Sequence, residues 1–262
     1  MKIDLTGKTA IVGGASKGIG KATALILARA GANVVILARN EEELQKAFAE
    51  LDKSKGQHHT YIKADYNQPD ELRTKVETLM EEAGVIHILV NNTGGPPPGP
   101  AHTADTAAYE QAFRQHLISN QVMVQTVLEG MKKVNYGRII NIISTSVKQP
   151  LKGLGVSNTI RGAVANWSKT LSLELASFGI TVNNILPGAT KTDRLKGIIS
   201  NKAEKAGKTV AEITEEMQDE IPAGRFAHPE ELGYAVCFLA SPFASHINGV
   251  NLPVDGGRTS CL

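Results

Sequence analysis

The sequence predicts a single α/β domain of the Rossmann type, with a doubly wound parallel sheet of about seven strands and helices on both faces. Short aliphatic segments alternate with longer amphipathic segments along the 262 residues. Strands that alternate with helices are joined by right-handed crossovers, which place the strands parallel in one sheet. Several short segments are apolar at consecutive positions, and this pattern indicates strands that are buried on both faces.

Each element follows from its local pattern. The predicted strands are Thr9–Val12, Asn33–Ala38, Thr60–Ala64, Ile86–Val90, Arg138–Ile143, Ile180–Leu186 and Val250–Val254. The predicted helices are Ile19–Ala30, Glu41–Lys53, Pro69–Ala83, Tyr109–Lys133, Ser157–Phe178 and Pro229–Ala240. Pro69 and Pro229 suit the first turn of a helix. Gly31 and Gly179 suit the position just after a helix, where the backbone often adopts the left-handed conformation.

Two stretches interrupt the alternation. Gly94–Pro100 (GGPPPGP) follows the fourth strand, and Gly188–Gly224 is a long insertion of mixed charge before the last helix. Ligands bind beyond the carboxyl ends of the strands in such sheets, so both stretches are candidate walls of a site. The alternative is an ordinary surface loop, and for Gly94–Pro100 the two interpretations are equally compatible with the sequence. We expect residues 1–262 to form one domain in which residues 188–224 cover the substrate.

Composition excludes several classes of protein. Apolar residues make up 42% and charged residues 21%, which argues against a disordered or fibrous chain. The net charge of +2 gives no sign of nucleic-acid or membrane binding. Cys237 and Cys261 lie in no CxxC or Cys/His cluster, so we expect no metal site and no disulfide framework. Without a signal-peptide pattern or an apolar run that could span a bilayer, the expected location is the cytoplasm.

The first strand runs into a glycine-rich turn that precedes a helix. Glycines allow a tight turn and a close approach of the backbone to a pyrophosphate, and the helix N-terminus offers free N–H groups to phosphate. The alternative is a turn with a structural role alone. The strand–turn–helix context favours dinucleotide binding. The candidate residues are Gly14, Ser16, Lys17, Gly18, Ile19 and Gly20.

The end of the second strand favours NADP over NAD. NAD enzymes have an acidic residue about 20 positions after the glycines, where it binds the ribose 2′-hydroxyl. Here that position holds Ala38, followed by Arg39. A guanidinium can bind a 2′-phosphate through two hydrogen bonds, and Lys17 in the turn supplies a second cation. The alternative is that both side chains are merely solvated.

These residues resemble the short-chain dehydrogenase/reductase family over essentially the whole chain, from Leu5-Thr6-Gly7-Lys8 to Val254-Asp255-Gly256-Gly257. Within it, the sequence is similar to 3-oxoacyl-carrier-protein reductases and related ketoreductases. The resemblance implies that Asp65 contacts adenine, that Asn91 and Gly94 belong to the family's Asn-Asn-Ala-Gly stretch, and that Ser144 is the catalytic serine. It also implies that Pro187 and Thr192 belong to the loop that holds the nicotinamide carboxamide.

The family's catalytic pattern is broken at three of its four positions. Counting by the family's spacing, the tyrosine that donates the proton is replaced by Ser157 and the lysine by Arg161. The asparagine of the preceding helix is replaced by His116, although Asn120 lies one turn later on the same face. The continuous match on either side fixes this register.

The replaced residues support different chemistry. A serine is too short to reach the same carbonyl as a tyrosine, so Ser157 would act through water. Arg161 has no proton to give, but it can bind ribose hydroxyls, a substrate carboxylate or a developing alkoxide, or form a structural ion pair. His116 has an ordinary pKa near about 6.5 that suits proton transfer. The alternative is a hydrogen-bonded helix histidine near a subunit interface.

Two functions remain open from the sequence. The first is an NADP(H)-dependent oxidoreductase that transfers hydride between nicotinamide and a carbonyl or hydroxyl group of a small molecule, with an altered proton donor. The second is a catalytically impaired nucleotide-binding homologue with a regulatory role. Apolar residues on more than one side of two long helices predict a homotetramer, or at least a dimer. These residues are Val122, Val124, Val164, Trp167 and Leu171.

Overall fold

A computed structural model describes residues 2–261 and contains one seven-stranded sheet in the order β3-β2-β1-β4-β5-β6-β7. All six strand pairs are parallel. The strands are β1 (Thr9–Gly13), β2 (Asn33–Ala38), β3 (Thr60–Lys63), β4 (Ile88–Asn91), β5 (Gly137–Ile142), β6 (Ile180–Pro187) and β7 (Asn251–Val254). The predicted fold class is therefore confirmed, and each predicted strand agrees within two residues at either end.

Helices cover both faces of the sheet. They are α1 (Gly18–Arg29), α2 (Glu41–Ala49), α3 (Pro69–Ala83), α4 (Thr106–Phe113), α5 (Ser119–Lys133), α6 (Gly155–Leu175), α7 (Asp193–Ala206), α8 (Val210–Asp219) and α9 (Pro229–Ala240). Alternate residues of one strand pack into different cores. Val34 and Ile36 of β2 pack with α1 and α9, whereas Val35 and Leu37 pack with α3 and α5. Burial on both faces explains the consecutive apolar residues.

Several helix boundaries differ from the prediction. The second helix ends at Ala49 rather than Lys53, because the chain turns there toward β3. The long helix predicted over Tyr109–Lys133 begins earlier, at Thr106, where Asp105 accepts a hydrogen bond from the amide of Ala107. A π-helical turn over Arg114–Ile118 then interrupts it. Such turns insert one residue per turn and redirect side chains. This one carries His116.

The insertion before the last helix contains two helices that the sequence pattern did not predict. Thr192 caps α7, and Thr209 with Glu212 forms a capping box at the start of α8. Their apolar residues form a small separate core with the chain that follows them. It contains Leu195, Ile199, Ala203, Ile213, Met217, Ile221 and Phe226. The insertion is thus a helical pair with its own packing rather than a loop.

The residues that predicted an oligomer pack largely within the chain. Val122, Val124 and Val164 are buried, and Trp167 donates a hydrogen bond from its indole nitrogen to Gln121 across the α5–α6 interface at 2.7 Å. Those side chains therefore have partners inside one chain. Leu173 on α6 is 72% exposed. No helix within residues 2–261 is long and apolar enough to cross a membrane.

Candidate active site at the carboxyl edge of the sheet

The glycine turn between β1 and α1 leaves no room for side chains. Gly14 and Gly18 have φ angles of 55° and 59°, a region that favours glycine. A Cβ at Gly20 would lie 2.3 Å from the carbonyl oxygen of Gly14. Lys17 is exposed and forms no side-chain cap on α1, while Ser16 and Ile19 are half-buried. The turn therefore has the backbone approach and the open helix N-terminus that a pyrophosphate requires.

Asn92 holds this turn in place, and the sequence analysis did not single it out. Its side-chain amide donates to the carbonyl oxygen of Gly13 at 3.0 Å and approaches that of Gly14 at 3.4 Å. A Cβ at Gly20 would also collide with this amide, at 2.7 Å. Its position beside Asn91 in the Asn-Asn-Thr-Gly stretch was the available signal. Asn92 links the end of β4 to the phosphate turn.

The candidate residues for the adenosine half lie at the ends of β2 and β3. Arg39 is exposed directly after β2, and no acidic side chain pairs with it among residues 2–261. Asp65 follows β3 and accepts hydrogen bonds from the backbone and side-chain nitrogens of Asn67 at 2.9 and 3.0 Å. Because β2 and β3 are parallel neighbours, both residues lie at the same edge of the sheet. This is the placement that the resemblance implies.

Asn91 has a structural role in the sheet. Its side chain is 2% exposed and donates to Asn141 of the adjacent strand at 2.9 Å. Asn141 donates in turn to Asn184, and Asn184 to Asn251, so one row of amides crosses four strands. The interpretation of Asn91 as a residue that touches the cofactor is therefore not supported by its contacts. Gly94 is exposed two residues after Asn92.

Pro187 and Thr192 lie where the chain leaves β6. Pro187 is the last residue of that strand. The Thr192 hydroxyl donates to the carbonyl oxygen of Thr190 at 3.2 Å and accepts from the Leu195 amide at 3.3 Å. Its methyl group faces the glycine turn, since a Cβ at Gly18 would lie 3.3 Å from it. Thr192 thus joins the insertion to the turn between β1 and α1.

Ser144 and the guanidinium of Arg161 both lie at the end of β5, and Ser157 lies one turn before Arg161 on α6. Ser144 follows the strand, and its oxygen accepts from the Ser146 amide at 3.1 Å, which leaves its own proton free to donate. Ser157 and Arg161 are both 8% exposed and lie one turn apart on α6. The Arg161 guanidinium donates from Nη1 to the carbonyl oxygen of Ile142 at 3.0 Å, two residues before Ser144.

Arg161 is a buried cation without an acidic partner. No aspartate or glutamate pairs with it among residues 2–261. Burial and, as the smaller cause, the positive charge of Arg194 together lower the pKa of Arg161 to about 10. The guanidinium remains charged near neutral pH. Of the alternatives open from the sequence, a structural ion pair is therefore excluded within the part of the chain that the structure describes.

His116 is enclosed and neutral. It is 1% exposed, its Nδ1 lies 2.6 Å from the Thr93 hydroxyl, and its Nε2 is buried with no hydrogen-bond partner in residues 2–261. Burial lowers the pKa of His116 to about 2, assisted by the charges of Arg161 and Arg194. Proton transfer by His116 near neutrality does not fit this environment. The alternative interpretation, a hydrogen-bonded helix histidine, fits better. Asn120 is buried on α5.

Arg194 is a further site residue that the sequence analysis missed. It lies in the first turn of α7 and donates to the carbonyl oxygens of Gly95 and Pro96 at 3.0 and 3.3 Å. A Cβ at Gly95 would lie 2.7 Å from its Nη2, so the guanidinium packs directly on that glycine. The contact joins the insertion to the proline-rich loop after β4. The two stretches that interrupt the pattern therefore contact each other at this edge of the sheet, and their role as walls of a site stays a prediction.

Comparison with known proteins agrees with this geometry. The sequence profile of a family described as enoyl-(acyl carrier protein) reductase matches residues 14–259. The 3-oxoacyl-(acyl-carrier-protein) reductase FabG of Vibrio cholerae is 34% identical over 258 residues, which cover 97% of this chain and 98% of that protein.

Two solved structures are similar along the whole chain. YwfH, an NADPH-dependent reductase involved in bacilysin biosynthesis, has a TM-score of 0.92 at 30% identity, covering 97% of this chain and 99% of its own. The L-sorbose reductase of Gluconobacter frateurii, complexed with NADPH and L-sorbose, has a TM-score of 0.94 at 29% identity with full coverage of both chains. The chain therefore belongs to the short-chain dehydrogenase/reductase family of NAD(P)-dependent oxidoreductases.

Proposed function

We propose that this protein is an NADP(H)-dependent oxidoreductase that transfers hydride between the nicotinamide and a carbonyl or hydroxyl group of a small molecule, without a tyrosine proton donor. The observation that carries the proposal is the placement of Ser144 and Arg161 at the same end of β5. The guanidinium is anchored on the carbonyl of Ile142, and the Ser144 hydroxyl, with a free proton, follows two residues later. A nucleotide-binding scaffold requires neither group at this edge.

The chain fits the cofactor at its phosphate and adenosine ends. Gly14, Gly18 and Gly20 provide a turn that a Cβ would fill, and the first amides of α1 would bind the pyrophosphate. Asp65 would face the adenine. The cofactor, when bound, supplies or accepts the hydride. The protein's part is to hold the two reactants face to face and to stabilise the charge that develops on oxygen.

The preference for NADP rests on Arg39 and Lys17. Both are exposed cations at the edge where the adenosine ribose would lie, and a guanidinium suits a phosphate that bonds through two oxygens. We expect NADPH to bind more tightly than NADH in a fluorescence titration. The Arg39→Ala variant should lose NADPH affinity and keep most of its NADH affinity. Equal affinities for the two cofactors in the unaltered protein would contradict the proposal.

The roles of the catalytic residues differ. Ser144 donates to the carbonyl oxygen, and Arg161 supplies fixed positive charge to the alkoxide, an interaction that is stronger in the transition state than in the ground state. Ser157 acts through a water that delivers the proton. Removing one donor of this kind costs about 10²-fold in turnover. Ser144→Ala and Arg161→Ala should each show that loss, and Ser157→Ala should lose less.

A screen of carbonyl compounds with NADPH, and of alcohols with NADP, tests the proposal directly. Restoring the family pair by Ser157→Tyr with Arg161→Lys should raise activity toward simple ketones if the pocket accepts a phenol. Cofactor binding without turnover across the whole panel would favour the other function, a nucleotide-binding homologue with a regulatory role. If Ser157→Ala lost all turnover while Ser144→Ala and Arg161→Ala kept theirs, the result would instead support direct proton donation by the Ser157 hydroxyl.

We further propose that the chain assembles as a homotetramer, or at least a dimer. Large apolar side chains remain exposed on the helices that follow β4 and β5: Phe113, Ile118 and Leu173 are 41%, 39% and 72% exposed. Helices with exposed apolar residues commonly meet another subunit. Light scattering at micromolar concentration measures the assembly, and a monomeric mass would refute it.

A further inference from the structure

Two arginines from different elements meet at the carboxyl edge of neighbouring strands. Arg161 reaches from α6 to the carbonyl of Ile142 at the end of β5. Arg194 reaches from α7 to the carbonyls of Gly95 and Pro96, which follow β4. Because β4 and β5 are parallel neighbours, both anchor points lie beyond the same edge of the sheet. Burial lowers the pKa of Arg161, and the positive charge of Arg194 contributes to that shift.

No acidic side chain balances these charges. Neither arginine forms an ion pair among residues 2–261. Asp193, the acid next to Arg194 in the sequence, accepts from Lys196 at 3.4 Å. His116, which also lies in this region, is neutral. Arg161 is buried and Arg194 is exposed beside the loop that it contacts. An unpaired buried cation is costly, and a second cation nearby adds repulsion, so the site is complementary to an anion.

Most of the hydrogen-bonding capacity of the two arginines remains available. A guanidinium carries five N–H donors in a planar fork, and the contacts above use one donor of Arg161 and two of Arg194. Such forks match the planar geometry of a carboxylate. The buried Nε2 of His116 is a further polar atom that has no hydrogen-bond partner among residues 2–261.

We propose that Arg161 and Arg194 bind a carboxylate of the substrate, so that the substrate is a small oxo acid or the corresponding hydroxy acid. The inference rests on the proposed function, since Ser144 and Arg161 define where the reacting carbonyl lies. The carboxylate then lies within a few bonds of that carbonyl. Arg161 stabilises both the carboxylate and the developing alkoxide, and Arg194 supplies the second positive charge that the carboxylate requires. In the reducing direction the carbonyl carbon receives the hydride of NADPH, and its oxygen receives a proton from water.

Arg194 also connects α7 to the loop after β4, and this structural contact must be separated from anion binding. Arg194→Gln keeps an amide that can donate to the carbonyl of Gly95 but removes the charge. Arg194→Lys keeps the charge. Arg73→Gln is the matched control, because it removes one positive charge from α3, where Arg73 contacts Gln125.

The test measures binding rather than turnover. Titration calorimetry measures the binding of two oxo acids, 2-oxobutanoate and levulinate, and of their methyl esters. The protein is saturated with NADP⁺, which cannot reduce these compounds, so no turnover disturbs the measurement. We expect at least one acid to bind more tightly than its ester. Arg194→Gln should weaken that acid about tenfold, Arg194→Lys should retain binding within about threefold, and Arg73→Gln should bind as the unaltered protein does. Ester binding should be the same in all four proteins.

Several results would overturn the inference. They are equal binding of acids and esters, no binding of either acid, and binding of the acid by Arg194→Gln as tight as by the unaltered protein. NADP⁺ affinity is measured for the same variants, because the other available anion is a cofactor phosphate. A loss confined to NADP⁺ would assign the arginines to the cofactor and also overturn the inference. Charge-dependent acid binding without NADPH oxidation would refute the proposed function and support the anion site.

Discussion

Replacing His116 with asparagine should make the protein less sensitive to acid. His116 is enclosed, and burial lowers its pKa to about 2, whereas the same imidazole in the unfolded chain titrates at about 6.5. A folded-state pKa below the unfolded value means that protons bind preferentially to the unfolded chain. The stability that depends on neutral His116 is therefore complete above the unfolded pKa and falls as the pH decreases below it.

The size of the effect follows from proton linkage. At pH 7.5 the imidazole is mainly neutral in both states, and its contribution to the free energy of unfolding is under about 0.1 kcal/mol. At pH 5.5 the unfolded chain takes up one proton at this site and the folded chain does not. This difference lowers the free energy of unfolding by about 1.4 kcal/mol. Asparagine suits the test because its amide occupies roughly the position of Nδ1 and keeps a partner for Thr93, 2.6 Å away.

The assay is urea unfolding of both proteins without cofactor, at pH 7.5 and 5.5 and one fixed protein concentration. When the pH falls from 7.5 to 5.5, the free energy of unfolding of the unaltered protein should decrease by about 1.3 kcal/mol more than that of His116→Asn. His59 and His87 also have pKa values lowered by burial, but they are present in both proteins and cancel. His102→Asn, at an exposed position, should follow the unaltered protein. A parallel loss of stability in His116→Asn and the unaltered protein would refute the reasoning.

Two further predictions concern packing. Gly20→Ala should destabilise the protein by about 1–3 kcal/mol in thermal unfolding, because its Cβ would lie 2.3 Å from the carbonyl of Gly14. Gly197→Ala, where no atom lies within 4 Å, should instead stabilise α7 by about 0.5–1 kcal/mol. Asn141→Leu should cost about 2–4 kcal/mol in urea unfolding, because it leaves a buried amide without a partner on each side of it. An unchanged free energy of unfolding in Asn141→Leu would show that the hydrogen bonds of this amide row do not contribute to stability.

The strands of the sheet could be predicted because their burial restricts the residue types within each short segment. Strands buried on both faces must be aliphatic at consecutive residues, and β2 (NVVILA) shows this directly. The helices α7 and α8 were missed because each buries only two or three side chains against the other. A charged segment with so few apolar residues has a weak periodic signal. The better signal was the capping box, Thr209 followed three residues later by Glu212.

The site was predictable where one segment carries its own geometry and unpredictable where distant segments meet. The glycine turn is specified by its own sequence. Arg194 contacts residues 98 and 99 positions earlier, and nothing in the local sequence of α7 indicates that partner. The burial of His116 has the same origin. Its pKa depends on a π-helical turn and on two arginines from other helices, so the ordinary value of the free side chain was the wrong guide.

The residues that the family resemblance places at the catalytic positions have one electrostatic property in common. Arg161 has a pKa of about 10 and stays charged near neutral pH, whereas His116 has a pKa of about 2 and stays neutral. Neither group therefore gains or loses a proton near that pH. In the function that we propose, the proton comes from water, and the positive charge of Arg161 beside the oxygen lowers the barrier. That same charge, unbalanced by any acid in residues 2–261, selects for a negatively charged substrate.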